Sequence, residues 1–246
     1  MRLQGKTAIV TGGASGFGAG IVRKFTAEGA SVLIADLNLA LAQDVAKETG
    51  CKAVKVDVAS NDSVRLLAET ALAELGRVDI LVNNAGITHL PKPMQDVTED
   101  EFDRVLAVNC KSVYLTARHL VPAMTEAGKG AILNVASTAG LSPRPKLNWY
   151  NASKGWMITA TKTMAVELAP AGVRVNAICP VAGETPLLKS FMGEDTPEIR
   201  AKFLSTIPIG RFSTPEDMGN AACFLCSDEA GMVTGVAMEV DGGRCI

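Results

Sequence analysis

Thr7-Ala8-Ile9-Val10 runs directly into Thr11-Gly12-Gly13-Ala14-Ser15-Gly16-Phe17-Gly18: a short apolar strand, then a glycine-rich turn that opens a helix. Glycines at 12, 16 and 18 permit a tight turn. The free N–H groups and positive dipole end of the following helix offer a site to a pyrophosphate. The spacing is G-x-x-x-G-x-G rather than G-x-G-x-x-G, so the reading rests on the turn's place between first strand and first helix.

The same alternation continues to the end of the chain. A helix from about Gly16 to Glu28 leads to a strand at Ser31–Asp36. An amphipathic helix then runs from Asn38 to Thr49, and Gly50 closes it. Ala53–Val56 reads as a third strand, Asn61 as the cap of a helix ended by Gly76, and Val78–Val82 as a fourth strand. Thr98-Glu99-Asp100-Glu101 is a capping box opening a long helix, with a break expected near Cys110–Ser112. Strands at Ala131–Val135, Val173–Ile178 and Val236–Val240 alternate with helices at Tyr150–Leu168 and from Pro215 to about Cys226. Short apolar strands separated by helices predict a parallel sheet covered on both faces. The fold class expected is α/β: one doubly wound Rossmann-type domain over 1–246, with ligands at the carboxyl ends of the strands.

The composition agrees with that. The chain has 246 residues, of which 48% are hydrophobic and 20% charged, and such α/β units run to about 250 residues as one domain. Twenty-four basic residues face 26 acidic ones without a Lys/Arg cluster, which argues against a nucleic-acid partner. No apolar run approaches the roughly 18 residues that span a bilayer, and no secretory h-region is visible, so a cytoplasmic protein is expected. Six scattered cysteines then read as reduced thiols. Cys223-x-x-Cys226 lies in an apolar helical stretch without a second Cys/His pair, so no metal is expected.

Asp36 ends the second strand, where a carboxylate can accept both ribose hydroxyls of an adenosine and repel a 2′-phosphate. Residues 13–15 and 37–38 offer no cation to such a phosphate, so NAD is expected over NADP. Asp57-Val58 after the third strand can hold the adenine edge, and Asn83-Asn84-Ala85-Gly86 follows the fourth. Tyr150 and Lys154 stand at i and i+4 on one helix face, and Ser137 closes the fifth strand. A neighbouring ammonium favours phenolate, so a phenol so placed can serve as acid or base near neutral pH.

These motifs, in order and over essentially the whole chain, resemble the short-chain dehydrogenase/reductase family: the Thr11–Gly18 turn, Asp57, Asn83–Gly86, Asn109, Ser137, Tyr150-x-x-x-Lys154, Asn176–Pro180 and Asp241-Gly242-Gly243. The resemblance implies Tyr150 as general acid/base, Ser137 holding the substrate oxygen, Lys154 on the nicotinamide ribose, and Asn109 anchoring a water that relays protons through Lys154. It implies dinucleotide contacts at Gly12, Ser15, Gly16, Phe17, Gly18, Asp36, Leu37, Asp57, Val58, Asn84, Ala85, Gly86, Tyr150, Lys154, Pro180, Val181, Gly183 and Thr185. Val181 departs from the glycine usual in the family, so a different backbone is expected beside the nicotinamide. A homotetramer and a substrate lid over 184–210 are implied as well.

The reaction expected is reversible hydride transfer between NAD(H) and a secondary alcohol or ketone. The alternatives are a 3-oxoacyl-thioester reductase and a non-catalytic dinucleotide sensor or scaffold. The lid's Leu187, Leu188, Phe191, Met192, Phe203, Leu204 and Ile207, with Ile87, Leu141 and Trp149, suggest an apolar pocket. Arg144 and Lys146, between Ser137 and Tyr150, could grip a carboxylate, but they read rather as solvated loop charges, so a neutral, medium-sized secondary alcohol or ketone is expected.

Overall fold

The computed structural model describes the whole chain, Met1–Ile246. Seven strands, β1 (Thr7–Thr11), β2 (Ser31–Asp36), β3 (Lys52–Lys55), β4 (Ile80–Asn83), β5 (Gly130–Val135), β6 (Val173–Pro180) and β7 (Ala237–Val240), form one sheet. All pair in parallel, in the order β3-β2-β1-β4-β5-β6-β7. The helices between them are α1 (Gly16–Ala27), α2 (Leu39–Thr49), α3 (Asn61–Leu75), α4 (Glu99–Leu106), α5 (Ser112–Glu126), α6 (Asn148–Leu168), α7 (Leu188–Met192), α8 (Pro197–Leu204) and α9 (Pro215–Cys226). The strand order reverses between β1 and β4, the crevice where open α/β sheets take their ligands.

Two apolar layers hold the sheet. Ala8 and Val10 of β1 face one layer with Phe25 of α1 and Met218 of α9. Ile9, between them, faces the other layer with Leu67 of α3 and Leu120 of α5. The alternation is the two-residue period of a strand, and every β1 residue is buried because both faces are covered. Cys223 and Cys226 lie buried in α9 within the first layer, all six cysteines are free, and no cluster of His, Cys, Asp or Glu could hold a metal. No helix is long and apolar enough to cross a membrane.

Element ends follow local chemistry. Gly50 and Gly76 terminate α2 and α3 at φ of 72° and 75°, a left-handed turn that costs glycine nothing. Ser60, not Asn61, caps α3, accepting from the Ser63 N–H; Asn61 is already the first helical residue. The long helix opened by the Thr98 capping box breaks slightly earlier than expected, at a π-helical turn over Ala107–Lys111 that carries Asn109.

Candidate active site

The carboxyl ends of β1, β2 and β4 build one end of the site. Ser15 caps α1 in an extended conformation with its side chain uncommitted, and the N–H groups of Gly16, Phe17 and Gly18 find no acceptor within the chain. That cradle suits a phosphate-bearing ligand. A Cβ on Gly18 would stand 2.1 Å from the Gly12 carbonyl, so the close turn demands glycine there. Asn84 donates from Nδ2 to the carbonyls of Thr11 and Gly12, 2.9 Å each, while Thr11 Oγ1 accepts from the N–H groups of Asn84 and Ala85. Asn84 therefore locks the turn of β1 to that of β4. Asp36 accepts from the N–H groups of Ala14 (3.0 Å) and Asn38 (2.9 Å), fixing the glycine turn against β2. A carboxylate has roughly four acceptor positions, so lone pairs remain for a pair of ribose hydroxyls.

The other end joins β4, β5, β6 and the start of α6. Tyr150 is buried, and the half-buried Ser137 hydroxyl faces its phenol. Burial pushes the phenol up to about 12, and the neighbouring Ser137 hydroxyl pulls the other way without offsetting it. Lys154, 4% exposed, donates to the Val135 carbonyl at 2.8 Å and lies 5.9 Å from the Tyr150 ring centre. Burial without a carboxylate partner brings it down to about 8. In the protein alone, then, the ammonium does not lower the phenol as its sequence position suggests, because desolvation outweighs it. The cleft between the two ends has a volume of about 500 Å³, and its lining includes Ser137 and every expected dinucleotide contact, from Gly12 to Thr185.

Asn109 stands behind that wall, fully buried. Its amide clamps Ile87 from both sides, donating to the Ile87 carbonyl and accepting from the Ile87 N–H at 2.9 Å each. Its remaining N–H donates to Ser153 Oγ, which donates to the Tyr150 carbonyl at 2.7 Å. The side chain is thus committed largely to positioning, with one lone pair of Oδ1 and the main-chain carbonyl left for a water.

Comparisons with known proteins agree with this geometry. The family model described as enoyl-(acyl carrier protein) reductase matches residues 12–244. The 4-formylbenzenesulfonate dehydrogenase of Comamonas testosteroni is 51% identical over the full length of both chains. The cyclopentanol dehydrogenase of a Comamonas species is 39% identical, over 98% of each chain. A crystal structure of 3-ketoacyl-(acyl-carrier-protein) reductase from Brucella melitensis, complexed with NADH, superposes at a TM-score of 0.95 with 49% identity, covering 99% of this chain and all of that one. The chain belongs to the short-chain dehydrogenase/reductase family. It is an oxidoreductase.

Within this short-chain dehydrogenase/reductase the segment 184–210 divides its apolar residues between two duties. Leu187, Phe191 and Phe203 line the cleft, with Phe191 5.1 Å from Tyr150 ring to ring. Leu188, Met192 and Ile207 turn away and pack with Val181 and Phe212, and Leu204 lies against them. Val181 is the floor of that small core, and its backbone is unstrained, since Lys146 (φ 71°) is the one non-glycine residue at positive φ. Ile87 lines the cleft, whereas Leu141 is exposed and Trp149 packs edge-on to Phe102 with its Nε1 on the Met94 carbonyl. Arg144 also reaches the cleft, contrary to its reading as a loop charge. Sequence reasoning passed over Ser153 and the Val135 carbonyl. A serine three residues after the tyrosine was the visible sign of the first; a main-chain acceptor leaves no sign.

Proposed function

We propose that this oxidoreductase transfers hydride between NAD(H) and a secondary alcohol/ketone pair, with 1–246 acting as one domain and 184–210 as substrate lid. The observation that carries the proposal is the Ser137 and Tyr150 hydroxyl pair at the base of a cleft whose far end is Asp36. In the reducing direction the carbonyl carbon takes hydride from the reduced nicotinamide, which is the chemistry the cofactor supplies when bound. The carbonyl oxygen takes the Tyr150 Oη proton. Ser137 donates a hydrogen bond to that oxygen, and its hold tightens as negative charge develops there. Lys154 would hold the nicotinamide ribose when the dinucleotide is bound, and its ammonium is placed to return a proton to Tyr150, while Asn109 and Ser153 keep the helix bearing both in place. The missing cation near Asp36 supports NAD over NADP.

A 3-oxoacyl-thioester reductase is the second reading, favoured by the Brucella likeness. One experiment addresses both: kcat/KM for cyclohexanol, 1-phenylethanol and an acetoacetyl thioester, each with NAD(H) and NADP(H). The expected outcome is turnover of the alcohols, with NAD preferred by at least about 1.4 kcal/mol, or tenfold. Tyr150→Phe should retain less than about a hundredth of kcat, since acid/base catalysis supplies roughly 10²–10⁴. Equal use of both cofactors would remove Asp36 as the selector. Efficient reduction of the thioester alone would favour the second reading.

We also propose a homotetramer, supported by exposed apolar side chains on α5 and α6 (Tyr114, Trp156, Val166), and a cytoplasmic setting, supported by six free thiols.

A further inference from the structure

Arg144 lies in the turn between β5 and α6, six residues before Tyr150, and its side chain lines the cleft beside Ser142 and Phe203. Its guanidinium carbon sits 4.3 Å over the Phe203 ring, and one Nη2 hydrogen bond, 3.0 Å to Thr206 Oγ1, is the only one that the side chain makes within the protein. A guanidinium carries five N–H donors, so most of this fork is unused.

No carboxylate answers that charge. The protein has eleven ion pairs, and neither Arg144 nor the nearby Arg244 belongs to one. Arg244 reaches the same turn, donating from Nη1 to Ser142 Oγ at 3.3 Å, and its buried Nε has no partner at all. Burial and the like charge of Arg244 both lower the Arg144 pKa. Two cations held together and partly desolvated, in a chain of net charge −2, are an arrangement that an arriving anion relieves.

The position relative to the reacting centre is fixed as well. The Arg144 carbonyl accepts from Asn151 Nδ2 at 2.7 Å, and Asn151 follows Tyr150 on α6. Phe191 covers the Tyr150 ring and Phe203 underlies the guanidinium, so the wall between them is aromatic.

Building on the hydride-transfer reading above, we propose that Arg144, supported by Arg244, is a specificity-determining residue that binds a carboxylate or sulfonate at the end of the substrate remote from its reacting carbon. The substrate class is then an anionic aryl or alkyl carbinol or ketone, with its apolar body against Phe191 and Phe203. This replaces the neutral substrate expected from the apolar lining alone.

The test compares kcat/KM for 4-(1-hydroxyethyl)benzoate and 4-(1-hydroxyethyl)benzenesulfonate with that for 1-phenylethanol, in the wild type, Arg144→Met and Arg144→Lys. Wild type should favour at least one anion, and Arg144→Met should lower that anion-to-neutral ratio by about tenfold or more, chiefly through KM. Arg144→Lys should restore part of the ratio, since the charge returns without the planar fork. Added salt should raise KM for the anion more than for 1-phenylethanol. Thermal melting and NADH binding of each variant check that the fold is kept. Which anion shows the loss separates carboxylate from sulfonate. A ratio unchanged within twofold in Arg144→Met, with 1-phenylethanol still turned over by the wild type, overturns this inference and leaves the hydride-transfer reading intact. No turnover of any of the three by the wild type overturns both.

Discussion

Lys154 is a buried cation held by the Val135 carbonyl alone, and its depressed pKa has a consequence for stability. Between about 8 and the ordinary 10.5 the unfolded chain binds a proton that the folded protein has released. Stability from this group therefore rises with pH across that window, and its cost is constant below it. Lys154→Met keeps the length of the side chain and removes the charge, so the cofactor-free protein should melt at an equal or higher temperature at pH 7. The advantage should shrink from about pH 8 upward, as the wild-type lysine itself becomes neutral. Tyr150 acts the other way only above pH 10, where its raised pKa makes the folded state hold the proton longer. Melting curves of both proteins from pH 6 to 9.5 check this, and a variant that melts lower at pH 7 would show that the bond to Val135 outweighs the desolvation cost. Gain in stability with loss of activity is the pattern expected where a group is kept for chemistry. Tyr150, Lys154 and Ser137 could be read as one cluster from their order along the chain, while their roles came from the family resemblance and not from spacing alone. The direction of the Tyr150 shift was not, because it depends on how completely the surrounding chain excludes water.

At the scale of elements, the π-helical turn at Ala107–Lys111 and the small core under the proposed lid show where a sequence reading runs out. Asn109 must meet the Ile87 N–H and carbonyl together and still reach Ser153 on α6, and the extra residue of a π turn lets it do so. The pattern signals a break in the helix, but its type is set by partners far away in the chain. Val181 is similar: a departure from glycine in the sequence, and in three dimensions the residue on which Leu188, Met192 and Ile207 pack. That five-residue core stands apart from the layers under the sheet, so its loss should loosen the segment 184–210, the proposed lid, without unfolding the protein. Val181→Gly removes three buried carbons at about 0.8 kcal/mol each and adds backbone freedom worth about 0.5–1 kcal/mol. Trypsin cleavage after Lys189 and Lys202 should accelerate by tenfold or more, with KM for substrate raised. Unchanged cleavage would mean that the lid is held by something other than this core.

Across the whole molecule, strand–helix alternation announces a parallel sheet but not the strand order, since neighbours such as β1 and β4 are separated by two complete units. Among the contacts that join the early and late parts of the chain is that of α1 with α9, and two glycines allow it. A Cβ on Gly20 would lie 2.2 Å from the Pro215 carbonyl oxygen, and one on Gly219 would lie 2.8 Å from the Gly20 oxygen. Nothing local in the sequence distinguishes Gly20 from the turn glycines a few residues earlier; only the approach of α9 explains it. Gly20→Ala sets two effects against each other. Alanine favours a helix interior by about 1 kcal/mol. Overpacking costs about 1–3 kcal/mol or more, and a clash with main chain at this distance belongs at or above the top of that range. The steric cost wins by about 2 kcal/mol, a fall in melting temperature of roughly 4–8 °C for a protein of this size. Because α1 also presents the Gly16–Gly18 N–H groups, affinity for NADH should fall with it, whereas Gly5→Ala, strained by its φ of 70° but with open space around its Cβ, should lower the melting temperature and leave that affinity as it is. Melting curves and NADH titration of both variants decide the matter. A Gly20→Ala protein as stable as wild type would mean that α1 and α9 can separate freely, and that the phosphate end of the cleft does not depend on their contact.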